Sequence, residues 1–149
     1  MSFTVKIKEE ISKIKSTRSE IIAELSAYIR NNGLINDDKI TLNTENRFLV
    51  ERVNYFITSI TDIIPKIEII ENLNFSKREL YQVIIDNNVQ GLLKDLGIID
   101  EENNYLPTVP TYIVGANEEL KRSYLRGVFL ACGSINDPKK LGYHMEFFI

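Results

Sequence analysis

Few side chains in this sequence could do chemistry, and those few stand apart. Cys132 is the one thiol and His144 the one imidazole, and neither has a second Cys or His near it in sequence. A nucleophile needs a base beside it and a metal needs several ligands, so Cys132 reads as a small buried hydrophobe and His144 as a strand residue. Asp37 and Asp137 could each attract a cation, but both lie in an Ile-Asn-Asp segment with turn character, where Asp commonly serves its own backbone. Lys39, Arg47, Lys66, Lys77, Arg78, Lys139 and Lys140 fall near the turns and sheet edges expected below. Taken alone, they read as solvated surface.

The two Asp segments belong to a longer match. Leu25-Ser-Ala-Tyr-Ile-Arg-Asn-Asn-Gly33-Leu-Ile-Asn-Asp-Asp-Lys39 aligns with Leu125-Arg-Gly-Val-Phe-Leu-Ala-Cys-Gly133-Ser-Ile-Asn-Asp-Pro-Lys139, one hundred residues later. The leucine, the glycine, Ile-Asn-Asp and the final lysine coincide. In the second stretch Leu125, Val128, Phe129 and Cys132 recur at helical spacing, as Leu25, Tyr28 and Ile29 do in the first. Each glycine stands where a helix should stop, and Ser134 to Asp137 before Pro138 reads as a short strand entering a turn. The expected unit is therefore helix, glycine, strand and turn, present twice.

Leu125 to Gly133, LRGVFLACG, resembles a degenerate LAGLIDADG motif, the helix of the homing-endonuclease fold, and Leu25 to Gly33, LSAYIRNNG, resembles its partner. Within that superfamily RSYLRGVFLACGSINDPKK is most similar to the WhiA regulators. The resemblance implies an α+β LAGLIDADG homing-endonuclease-like fold, a duplicated α-β-β unit whose antiparallel sheet is covered by helices, with the second repeat truncated. It implies an N-terminal amphipathic helix over 1–16, a first repeat over 17–99, a linker over 100–116 and the start of a second repeat over 117–149, without the family's C-terminal helix-turn-helix domain.

In active members of the superfamily the eighth motif position is acidic, and two such carboxylates hold the divalent metals that activate water and the leaving oxygen. Those positions here are Asn32 and Cys132. An amide offers a neutral carbonyl, and a thiol is mostly protonated at neutral pH and too soft for magnesium. The resemblance thus implies a domain that is not an enzyme, with no catalytic residue, metal or cofactor. The sheet of the related nucleases faces DNA, which makes Lys39, Arg47, Lys66, Lys77, Arg78, Lys139 and Lys140 the candidate phosphate contacts.

Composition sets bounds on this reading. With 149 residues, 44% of them hydrophobic, the chain can bury one sizeable core. A net charge of −3 argues against a strongly basic, nonspecific nucleic-acid binder. A single cysteine fits a reducing compartment, no apolar run is long enough to cross a membrane, and Lys6, Lys8, Glu9, Glu10, Lys13 and Lys15 interrupt any signal-peptide core. These features point to the cytoplasm, and the resemblance implies association with the nucleoid.

The remaining elements must position the motif helices. Phe3, Ile7, Ile11 and Ile14 mark an amphipathic helix that docks on the protein, and Thr17 with Glu20 forms a capping box opening the first motif helix. Ser26, Ala27, Gly127 and Ala131 are small enough for two helix backbones to approach. Asn36-Asp-Asp-Lys39 separates the strands of a short hairpin, and Asn43 or Thr44 caps a helix through Phe48, Val53, Phe56 and Ile60 that ends before Pro65. Ile67 to Leu73 and Leu80 to Ile85 read as strands, while Ser76 with Glu79 offers a competing helix start. Asn87-Asn88 caps a short helix from Val89 to Leu96, with Gly97 as its stop, and Asn117 caps the second motif helix.

The function these features imply is a catalytically inactive domain of a WhiA-like bacterial DNA-binding transcription regulator, acting in cell division, chromosome segregation or sporulation. Double-stranded DNA is the implied partner, mainly through the helix-turn-helix domain, together with protein partners in transcription and no membrane. Self-association through an uncovered final strand is a further expectation. Two alternatives stand beside this reading: an active LAGLIDADG endonuclease, which Asn32 and Cys132 disfavour, and a protein-binding scaffold, which the acidic balance permits.

Overall fold

The computed structural model describes residues 2–36, 38–71, 79–115, 117–135 and 145–147. Helix α1 (Phe3–Ile11) leads into α2 (Arg18–Asn32), the strands β1 (Leu34–Asn36) and β2 (Lys39–Thr44), and α3 (Arg47–Ile60). Then follow β3 (Lys66–Glu71), β4 (Glu79–Ile85), α4 (Val89–Asp95), α5 (Thr111–Val114), α6 (Glu118–Cys132), β5 (Gly133–Ile135) and β6 (Met145–Phe147). The first four strands make one antiparallel sheet in the order β1-β2-β4-β3, and β5 pairs with β6.

Register decides which side chains meet. Ile40 and Leu42 of β2 lie opposite Ile85 and Val83 of β4, and Val83 and Tyr81 lie opposite Ile67 and Ile69 of β3. Directly opposed residues share a face, and this one packs on α2 and α3 through Leu25, Tyr28, Ile29, Val53, Phe56 and Ile57. Leu92, Leu93 and Leu96 of the α4 region complete the core. Each fully buried Leu or Ile contributes about 1.5–3 kcal/mol of transfer free energy. The other face of the sheet carries Leu34, Asn36, Lys39, Thr41, Asn43, Leu80, Gln82, Ile84, Lys66, Glu68 and Ile70, with no helix against it among the described residues.

Helices α2 and α6 lie side by side. A Cβ on Gly127 would overlap the Glu24 carbonyl oxygen and stand 2.8 Å from the Ala27 Cβ, so the seam demands glycine there. Ser26 is buried too, but its hydroxyl donates to the Leu96 carbonyl at 2.7 Å and anchors the end of α4. No helix of the described residues is long and apolar enough to cross a membrane.

Several elements match the sequence-based expectation. The capping box is present, with Thr17 Oγ1 accepting from the Glu20 N–H and Glu20 Oε1 from the Thr17 N–H at 2.9 Å. Asn117 Oδ1 accepts from the N–H groups of Glu119 and Leu120, and residues 79–85 form a strand rather than the competing helix, since β4 is paired on both edges.

Other expectations are corrected. Helix α1 stops at Ile11, and Ile14 is exposed, because the carbonyls of Ser12 and Ile14 are taken by the Arg52 guanidinium. Thr44 belongs to β2, where its hydroxyl accepts from the Asn46 N–H, and α3 starts at Arg47 without a side-chain cap. Asn88 precedes α4 at φ 51° and makes no side-chain cap bond. A helix, α5, interrupts the expected linker. Gly33 and Gly133 have φ of −76° and −84°, which any residue adopts, and it is crowding by Ile29 and Phe129 that excludes a Cβ there. The buried face of α6 is Ser123, Gly127 and Leu130 with Phe129, while Leu125 is exposed.

Candidate nucleic-acid interface and motif-helix ends

At the end of α2 the Asn32 amide is consumed by the fold. Its Nδ2 donates to the Tyr28 hydroxyl at 2.9 Å and to the Asn43 carbonyl at 3.2 Å, tying the helix to β2. Burial pushes the Tyr28 phenol up to about 12, against the opposing hydrogen bonds from Asn32 and Thr44. At the end of α6 the Cys132 thiol is half-buried and donates back to the Val128 carbonyl at 3.2 Å. The Lys8 ammonium lies 5.7 Å from the centre of the Phe129 ring, with its pKa lowered by burial and partly restored by Cys132. Neither helix end presents a carboxylate, and no three His, Cys, Asp or Glu side chains gather into a metal-binding group among the described residues.

The seam between the motif helices holds a buried charge cluster that the sequence reading missed. Glu24 accepts from Arg52 Nε at 2.6 Å and Nη2 at 2.8 Å, and from Arg126 Nε at 2.6 Å. Arg52 also bonds the Ser12 and Ile14 carbonyls, and Arg126 the hydroxyls of Ser16 and Ser123. The cluster thus joins α2, α3 and α6 to the segment after α1. A charged residue inside the apolar run Ile21-Ile-Ala-Glu-Leu25 was the available signal, since a buried carboxylate needs a partner. A second such anchor is Arg30, whose guanidinium donates to the Gly97 and Leu106 carbonyls at 2.7 Å each and stands over the Tyr105 ring.

Of the seven candidate phosphate contacts, Lys39 and Lys66 share the open face of the sheet and are exposed. Lys66 pairs with Asp86 at 2.8 Å, which raises the lysine pKa and lowers that of the aspartate. Ile84 and Thr41 lie between them, and further along the same face Gln82 Nε2 donates to Asn43 Oδ1 at 3.0 Å. Arg47 is on the other side of the sheet, beside Ile67, Ile69 and Tyr81, in an exposed pair with Glu51 at 3.4 Å. Lys77, Arg78, Lys139 and Lys140 lie outside the described residues, as do Asp37, Asp137 and His144.

Residues 18–99 match the family model of the WhiA N-terminal LAGLIDADG-like domain, and residues 121–149 match that of the WhiA LAGLIDADG-like domain. Similar relatives include the probable cell division proteins WhiA of Pediococcus pentosaceus, 34% identical over 99% of this chain and 49% of that protein, and of Brevibacillus brevis, 32% identical over 99% and 48%. The chain spans about half the length of the curated relatives it matches. The crystal structure of full-length DUF199/WhiA from Thermatoga maritima superposes with a TM-score of 0.70 at 21% identity, over 99% of this chain and 44% of that one. That of the N-terminal LAGLIDADG domain of DUF199/WhiA gives 0.71 at 21%, over 98% and 65%. At such identity the likeness establishes the fold.

Proposed function

The chain belongs to the WhiA family, and from that premise we propose that it is a homing-endonuclease-like domain without nuclease activity, part of a bacterial DNA-binding transcription regulator that acts in cell division, chromosome segregation or sporulation. Its relatives bear the name of probable cell division proteins. The proposed organisation is a leading segment over 1–16 that carries α1, a first repeat over 17–99, a connection over 100–116 and the opening of a second repeat from 117.

The observation that carries the inactive reading is the use of Asn32 inside the fold. Where an active nuclease would place a metal-binding carboxylate, an amide donates to Tyr28 and Asn43, so the position supports a helix end instead of a cation. DNA binding is supported by Lys39 and Lys66 on an open, amide-bearing sheet face. Its strength should be modest, because Glu68 lies on the same face and Lys66 is paired with Asp86. The family's helix-turn-helix domain supplies most of the affinity in this reading, and protein partners in transcription are proposed with it.

The test is fluorescence anisotropy of a labelled duplex titrated with this chain at several salt concentrations. The expected result is weak binding that falls as salt rises, weakened further by Lys39→Glu. Binding that ignores both salt and Lys39→Glu would remove the sheet face from DNA recognition and leave the domain as a protein-binding scaffold.

A further inference from the structure

Strand β3 lies at the edge of its sheet, and no strand stands on its far side among the described residues. Its outward row of backbone N–H and C=O groups is a template for another strand. The side chains around it are unusually apolar for such a position: Ile67, Ile69 and Ile70 are exposed, and Ile64, just before the strand, is 84% exposed. Charges along β3 are confined to its Lys and Glu residues, of which Lys66 and Glu68 both project from the open face.

These residues specify what would fit. Two copies meeting through the same edge are related by a two-fold axis normal to the sheet, so their strands run antiparallel and each keeps its faces. Directly opposed residues must then come from the same face, and one residue of β3 sits opposite itself. Centring on Glu68 brings two carboxylates together, which is unfavourable. Centring on Ile69 sets Glu68 against the partner's Ile70 and carries Lys66 beyond the end of the partner strand. Centring on Ile67 places each Lys66 opposite the other copy's Glu68 and joins the two Ile67 side chains, with Ile64 directed towards the partner's Ile70. Pro65 has no N–H and closes the ladder on that side.

We propose that β3 is a homodimer edge, on which a second copy of this chain adds its own β3 antiparallel, centred on Ile67 and closed by two Lys66–Glu68 pairs. The existing Lys66–Asp86 contact is compatible with this pairing, since an ammonium has three donors and both partners are solvent-exposed. The edge is separate from the motif-helix seam and from Lys39.

The experiment combines sedimentation with a cysteine scan. In a Cys132→Ser background, single cysteines are placed at Ile67, Glu68 and Ile69, and each variant, checked for folding by circular dichroism, is oxidised and run on a non-reducing gel. The proposal expects a concentration-dependent monomer–dimer equilibrium and fastest cross-linking for Ile67→Cys. Lys66→Glu should weaken association by about tenfold, and the swap Lys66→Glu with Glu68→Lys should restore it. Lys39→Glu should leave association unchanged. A monomer at every concentration, fastest cross-linking at position 68 or 69, or a swap that fails to restore association would each overturn it.

Discussion

Leu25 and Leu125 hold the same place in two copies of one pattern, yet the first is 1% exposed and the second 56%. Both lie in fifteen-residue helices that stop before a glycine and lead into a strand. The difference is in the surroundings. The Leu25 face of α2 packs on α3 and the four-stranded sheet, whereas on α6 Leu125 itself is exposed, Phe129 one turn on is buried beside Lys8 of α1, and Ser123, Gly127 and Leu130 are buried towards α2. A repeated pattern therefore sets helix length and helix end, while burial depends on which other segments reach the face.

The same alignment explains why the two helices are not interchangeable. Position 24 is Glu where 124 is Tyr, and position 26 is Ser where 126 is Arg. The seam is closed by the Glu24 of one copy holding the Arg126 of the other, with Arg52 behind. Two copies of α2, or two of α6, would lack one partner at these positions, so the asymmetry favours this partnering over a swapped one.

Removing the carboxylate should break the comparison most severely. Glu24→Ala leaves two arginines uncompensated in the seam and should lower unfolding free energy by about 3–5 kcal/mol, measured by urea denaturation. The leucine pair sharpens the contrast directly. Leu25→Ala should cost about 2–5 kcal/mol and Leu125→Ala less than about 0.5 kcal/mol in the same assay; equal losses would show that the α6 face is covered.

Alkaline titration of the protein beside its Tyr28→Phe variant isolates the α2 end from Tyr81 and Tyr124, whose pKa values are also raised. The Tyr28 pKa is raised from 10.0 to about 12 by burial, so its contribution to stability is complete below pH 10 and is lost as pH rises towards 12, by up to about 3 kcal/mol. Tyr28→Phe should flatten that part of the pH profile. Gly127→Ala should cost about 1–3 kcal/mol from crowding against Glu24 and Ala27, and a neutral outcome would mean that the seam can open.

Local signals were legible in the sequence and long-range ones were not. The Thr17–Glu20 capping box and the Asn117 cap involve neighbours within three residues, and the β1–β2 hairpin surrounds a turn-rich tetrapeptide. Thr44 misled because a hydroxyl that could cap a helix instead bonds the Asn46 N–H while its backbone stays in β2. The glycines after both helices were placed correctly for the wrong reason, since packing and not a left-handed backbone excludes a side chain. Glu24 and Arg126 are 102 residues apart, and periodicity gives no hint of that pairing. Among the phosphate candidates, strand register brings Lys39 and Lys66 to one face and sends Arg47 to the other, a distinction available only once the strand pairing is known.

The central claim is that this domain has kept a DNA-facing sheet after losing nuclease chemistry at Asn32 and Cys132. The most direct measurement incubates this chain with a labelled duplex and magnesium at low salt, reads anisotropy, and then runs the same samples on a denaturing gel. Salt-sensitive binding with every strand intact is the predicted result. Strand cleavage that disappears on Asn32→Ala would contradict the claim.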